Sequence, residues 1–147
     1  MRERIGFTLL EFLIVLGLLG LLLSIGALST SRLLRSEERS SFLTALQTFI
    51  WQGATEAASR GEALLLDYDG SRLRLLRESN KALLRALPLP QGASLSLNQG
   101  PILRYSPPGK VENPDGSPLN GPLTFTLSLG GQNHRYTVSL IGEVKKE

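Results

Sequence analysis

The chain has 147 residues, 41% of them hydrophobic and 20% charged, which is material for one domain and not two. It contains no cysteine, so a disulfide framework is excluded. Its 16 basic and 13 acidic residues leave a net charge of +3, which permits an anionic partner without demanding one.

The apolar content is uneven. Residues 12–31 carry no charge, whereas later segments alternate apolar and polar positions. As a helix, 12–31 would reach roughly 30 Å, the thickness of a bilayer's hydrocarbon core. The stretch is Leu-rich, with Gly17, Gly20 and Gly26 interspersed as membrane helices tolerate. A chain this small could hardly surround so long an uncharged helix, which weighs against a buried soluble one. Two membrane readings stand. One is a secretory signal, with Arg2 and Arg4 as its basic region and Ala27-Leu28-Ser29 as its cleavage site. The other is a retained anchor. Glu11 bears on the choice, because a carboxylate in an apolar run costs about 2–3 kcal/mol at the bilayer centre and less near an end. A signal peptide gains nothing from it, so Glu11 predicts a polar partner in the membrane or in an assembly.

Gly6-Phe7-Thr8-Leu9-Leu10-Glu11, behind a short basic leader and ahead of the apolar run, resembles the prepilin (class III) signal of type IV pilin-like proteins. That resemblance implies a leader of residues 1–6 and cleavage between Gly6 and Phe7 by a prepilin peptidase, which also N-methylates Phe7. It implies retention of 7–31 as a transmembrane and assembly helix, with Glu11 as the assembly residue. The new amine at Phe7 would neutralise Glu11 of a neighbouring subunit and remove the penalty of an unpaired buried charge. The implied location is the bacterial inner membrane, with the C-terminal domain periplasmic, and then a pilus or pseudopilus. Many pilins carry a proline where this chain has Leu28; Gly26 nearby loosens a helix less than proline does.

The helical period continues beyond the apolar run. Arg32, Arg35, Glu37, Glu38 and Arg39 form a polar collar. Phe42, Leu43, Leu46, Phe49, Ile50, Gly53, Ala54 and Ala57 then recur at steps of three and four, the mark of one apolar face. Residues 32–61 thus read as an amphipathic half-helix ending at Arg60-Gly61. Trp51 beside that face is expected to pack in the core.

Beyond Gly61 the period changes to that of strands, in a β-rich domain of residues 62–147. Leu64, Leu66 and Tyr68 alternate up to the turn dipeptide Asp69-Gly70, and Leu73 and Leu75 alternate after it. Ala93, Leu95 and Leu97 form another set, and 102–105 reads as a short strand. Residues 107–122 hold five prolines and are expected to be a loop. Leu123, Phe125, Leu127 and Leu129 alternate up to Gly130-Gly131, and Tyr136, Val138 and Leu140 return. The expected fold is α+β: a long N-terminal helix packed on an antiparallel β domain. Ile102-Leu103-Arg104-Tyr105-Ser106-Pro107-Pro108-Gly109 and the final Ser139-Leu140-Ile141-Gly142-Glu143-Val144 resemble H-type minor pseudopilins of type II secretion and the related T- and U-type minor pilins. Those end in a strand with a Gly-basic-Val pattern, where this chain has Glu143.

Catalysis finds no support. His134 stands alone beside turn residues, with no G-x-S-x-G motif. Asp67, Asp69 and Gly70 echo a calcium loop whose later ligands are missing, and Asn113 and Asp115 offer oxygens from the 107–122 loop. The expectation is a non-enzyme with no cofactor, no metal and no small-molecule substrate. Its partners would be other pilins, the prepilin peptidase/methyltransferase and the membrane. Nucleic acid is the alternative partner: Arg72 and Arg74 share one strand face, and Arg104, Lys145 and Lys146 complete the candidate DNA contacts, with Lys110 and Arg135 joining if the fold allows. A bitopic membrane protein with a periplasmic binding domain is the third reading.

Overall fold

The computed structural model describes the backbone of residues 8–147 and the side chains of 8–25 and 35–147. It is an α+β protein: helix α1 (Leu9–Arg60) precedes nine strands, counted among the described residues. The chain divides into two compact units, Met1–Ser40 and Ser41–Glu147, which are described in turn.

In the first unit, α1 begins where the sequence supplies a capping box. The Thr8 hydroxyl accepts the Glu11 N–H at 3.2 Å, and the Glu11 carboxylate accepts the Thr8 N–H at 2.9 Å. From Leu9 to Ile25 every side chain is exposed, including a run of Leu, Ile, Val and Phe. Among the described residues no helix is long and apolar enough to cross a membrane. The apolar stretch with described side chains ends at Ile25, short of the roughly 20 residues a span needs. Gly26, Leu28 and Arg32, on which part of the anchor reading rests, lie outside the described side chains.

The second unit holds the core. Its strands are β1 (Leu64–Tyr68), β2 (Arg72–Arg77), β3 (Leu83–Pro88), β4 (Ser94–Leu95), β5 (Gly100–Ser106), β6 (Lys110–Glu112), β7 (Leu123–Leu129), β8 (Gln132–Val138) and β9 (Val144–Lys146). They form a five-stranded sheet in the order β3-β2-β1-β5-β6 and a four-stranded sheet in the order β4-β7-β8-β9, antiparallel throughout. The apolar face read from the sequence is the buried one: Phe42, Leu46, Phe49, Ile50, Ala54 and Ala57 pack against Leu64, Leu66, Leu75, Leu103 and Tyr105 of one sheet and Phe125, Leu127, Tyr136 and Val138 of the other.

Glycine sets the closest approach. A Cβ on Gly53 would lie 2.3 Å from Tyr105 Cε2, so only a hydrogen there lets the ring lie against the helix. The Tyr105 hydroxyl, fully buried, donates to the Ile50 carbonyl at 2.9 Å, which satisfies the one polar atom of that ring. The helix ends at Gly61, whose φ of 65° and N–H bond to the Ala57 carbonyl form the expected left-handed stop. The β1–β2 turn is also the expected one: Asp69 Oδ1 accepts the Ser71 and Arg72 N–H groups, and Gly70 takes a φ of 94°.

Four expectations are corrected. Residues 107–122 are not all loop: Lys110–Glu112 forms β6, pairing with β5 through Tyr105↔Val111, because Val111 has a core position to fill. The set at Ala93, Leu95 and Leu97 yields only the two-residue β4, although Ala93 and Leu97 still pack against the core. Leu140 is not a strand residue; β8 stops at Val138, and a turn held by the Gly142 N–H bonded to the Ser139 carbonyl leaves Leu140 exposed. Trp51 is 46% exposed, because it lies beside the helix face that meets the sheets and not on it.

Candidate functional site

Three places could serve a function. The first is the N-terminus of α1. Gly6 and Phe7 lie outside the described residues, so their processing is not addressed by the geometry. Glu11 is described, and its Oε2 accepts both the N–H and the hydroxyl of Thr8, each at 2.9 Å. Besides any partner in an assembly, Glu11 therefore acts locally. It satisfies an orphan donor at the start of its own helix and places negative charge at the positive end of the helix dipole. The spacing Thr8-x-x-Glu11 was the signal that could have predicted this.

The second place is a set of basic side chains. Arg72 donates to Asp69 at 2.7 Å, and Arg74 pairs with Asp67 and reaches Asp69 at 3.8 Å. Arg104 bonds Glu78 with two nitrogens, at 2.8 and 2.9 Å, and Glu112 at 2.6 Å. These three arginines share the five-stranded sheet, and each is bound to at least one carboxylate there. The guanidinium partners hold Asp69 and Glu78 below the usual carboxylate range, Arg72 being the largest influence on Asp69 and Arg104 on Glu78. Burial pushes Glu112 up, but hydrogen bonds from Arg104, Ser106 and Lys110 outweigh it and leave the group below its ordinary value. The carboxylates in turn raise the Arg74 and Arg104 guanidiniums further above neutrality. Lys145 and Lys146 sit elsewhere, on β9 at the edge of the four-stranded sheet. Lys145 lies 3.7 Å from Glu143, and Lys146 is exposed with no ion pair among the described residues. The fold thus divides the candidate DNA contacts between two sheets. Lys110 pairs with Glu112 at 3.4 Å and Arg135 approaches Glu147 at 4.0 Å.

The third place is a shallow groove of about 620 Å³ beside Trp51, with Ala58, Pro108, Lys110, Leu140 and Ile141 in its walls. Ile141 is 66% exposed, and with Trp51 and Leu140 it gives an apolar patch that the sequence did not announce. Sequence reasoning missed it because Leu140 reads as the next residue in a strand that has already ended.

Nothing gathers for metal chemistry: no group of three or more His, Cys, Asp or Glu comes together among the described residues. Asp67 and Asp69 are taken up by arginines, and Asn113 and Asp115 close on Ser117 and Pro118. His134 is half-buried on the inner face of β8, opposite Leu127; partial burial and then Lys146 push its pKa down. No carboxylate bonds it, so the arrangement that would make it a general base is missing among the described residues. Comparison with protein-family models, curated proteins and solved structures finds no match to this chain.

Proposed function

We propose that this chain is a minor pilin or pseudopilin, a structural subunit without catalytic turnover. It is cut between Gly6 and Phe7 by a prepilin peptidase that methylates Phe7. It is held in the bacterial inner membrane by residues 7–31, with the domain that follows in the periplasm. From there it joins a type IV pilus or a type II secretion pseudopilus by packing its helix among those of other pilins. The observation that carries the reading is the hexapeptide ending in Glu11, placed directly ahead of a helical run whose apolar side chains are all exposed from Leu9 to Ile25. So large an uncovered apolar surface calls for lipid or neighbouring helices around it. Mass spectrometry of the protein extracted from membranes tests this directly. An N-terminus at N-methyl-Phe7 is expected, with the unprocessed chain accumulating when Gly6 is replaced by a bulky residue. A mature protein that retains Met1 sinks the proposal and favours a bitopic membrane protein with a periplasmic binding domain.

A DNA-contacting minor pilin of a natural-transformation pilus is the second reading. What favours it is Lys146, exposed and without an ion pair among the described residues, beside Lys145 on an open edge strand. Arg72, Arg74 and Arg104 contribute less, since their charge is already matched by carboxylates. Salt-sensitive retention of DNA, abolished by Lys145→Glu with Lys146→Glu, is the expected result on this reading. Retention unchanged by that double reversal removes it.

A further inference from the structure

The geometry points to Asn120-Gly121 as a self-modification site, where the chain converts an asparagine to aspartate and isoaspartate without an enzyme. The reaction needs three things: an asparagine side chain free to turn back on the main chain, a following backbone nitrogen free to attack it, and room for the ring that forms. Five asparagines can be compared: Asn80, Asn98, Asn113, Asn120 and Asn133. Asn80 Oδ1 accepts the Ala82 N–H at 3.0 Å, and the nitrogen after it, Lys81 N, donates to the Arg77 carbonyl at 2.9 Å. Asn113 is followed by Pro114, which has no N–H to give. Asn133 Oδ1 accepts the Ser128 hydroxyl at 2.6 Å, within β8. Asn98 is exposed and has no hydrogen-bond partner among the described residues, but it is followed by Gln99, whose Cβ makes ring closure harder than a glycine does.

Asn120 alone of the five is followed by glycine. It is exposed, and neither its side chain nor the Gly121 N–H has a hydrogen-bond partner among the described residues. A Cβ built on Gly121 meets nothing within 4 Å, so the space beside the attacking nitrogen is open. The two Asp-Gly pairs, which cyclise by the same route with loss of water, are tied down. Asp69 is held by Ser71, Arg72 and Arg74. Asp115 Oδ1 accepts the Ser117 N–H and hydroxyl, and the Gly116 N–H is spent on the Asn113 carbonyl at 2.9 Å.

The step balances without an added reagent other than water. Gly121 N gives its proton to solvent base and attacks Asn120 Cγ. The N–Cγ bond forms, the Cγ–Nδ2 bond breaks, and the amide nitrogen leaves as ammonia with a proton from solvent. Water then opens the succinimide at one carbonyl or the other, giving aspartate or isoaspartate; no electrons are gained or lost. Either product puts a second acid in a segment, 113–122, whose one acid is Asp115. The iso product also routes the main chain through the former side chain and lengthens it just ahead of β7.

The full chain in detergent is incubated at neutral and at mildly alkaline pH, folded and in parallel unfolded in urea. Trypsin then releases residues 111–135, and tandem mass spectrometry locates acid and isoaspartate among Asn113, Asn120 and Asn133. Conversion at Asn120 is expected in the folded chain at close to the unfolded rate and faster at alkaline pH, with Asn133 unchanged. Gly121→Ala, which the open space accommodates, is expected to slow it by roughly tenfold or more. Conversion at Asn120 that is far slower folded than unfolded overturns the proposal, as does a rate that Gly121→Ala leaves unchanged.

Discussion

Gly53→Ala pits helix propensity against packing, and the distances decide which prevails. An alanine methyl would lie 2.3, 2.6 and 2.9 Å from Cε2, Cζ and Cδ2 of Tyr105. Carbon atoms rest at about 3.5–4.0 Å, so the ring has to retreat by about 1 Å. It has little freedom to do so, being fully buried with its hydroxyl bonded to Ile50. Overpacking costs about 1–3 kcal/mol and loss of the hydroxyl bond about 0.5–1.5, against about 1 kcal/mol returned by alanine's helix propensity. The expected net destabilisation is about 0.5–3.5 kcal/mol. Urea titration of the full chain in non-ionic detergent, followed by near-UV circular dichroism of the buried tyrosines, measures it. Tyr105→Phe sharpens the test, because a ring freed of its hydroxyl bond can move; the double variant is then less destabilised than the sum of the singles. A Gly53→Ala protein as stable as the parent, or more so, refutes the reasoning.

Other outcomes follow from the same geometry. Arg104→Met leaves Glu78 and the buried Glu112 without their guanidinium and is expected to cost about 1–3 kcal/mol at neutral pH. In the parent both carboxyls are held below their unfolded value near 4.3, so their contribution is present above that pH and lost as pH falls through the folded values. The deficit of the variant relative to the parent is therefore expected to be full at neutral pH and to shrink as pH falls below about 4.3 in matched urea titrations. His134 has a lowered folded pKa, so its neutral form favours the fold above about pH 6.5 and that contribution fades as pH drops through the unfolded value. His134→Gln is expected to flatten the slope of stability against pH in that window, read from thermal midpoints across buffers. Gly61→Ala meets no neighbour but forces alanine to a φ of 65°, and a loss of about 1 kcal/mol in the urea titration is expected.

Much of this fold was legible where one physical period dominates. The apolar steps from Phe42 to Ala57, the Asp69-Gly70 turn and the alternation in β7 all translate directly into burial, because each face has a single environment. Strand β3 escaped notice because Leu83, Leu84, Arg85, Ala86, Leu87 and Pro88 do not alternate; it is an edge strand, mostly exposed, and prolines crowd its end. Strand β6 was hidden by the prolines on either side of it. The charge pattern was the least legible. Arg104 reads as a free cation in sequence, and its partner Glu78 is 26 positions away, joined to it only by the pairing of strands. The N-terminal motif was visible throughout, since its information lies in six consecutive residues.

The apolar face of α1 in the second unit is shared by two sheets, for one cluster of buried residues contains Leu46 and Ile50 together with Leu66 and Tyr105 of one sheet and Leu127 and Tyr136 of the other. Such a domain has no seam. Peeling the helix segment away would strip the inner surfaces of both sheets at once, so neither can persist as a separate cooperative block. Amide hydrogens at the centres of β1 and β8, remote in sequence, should therefore become exchangeable in the same opening event and with the same free energy.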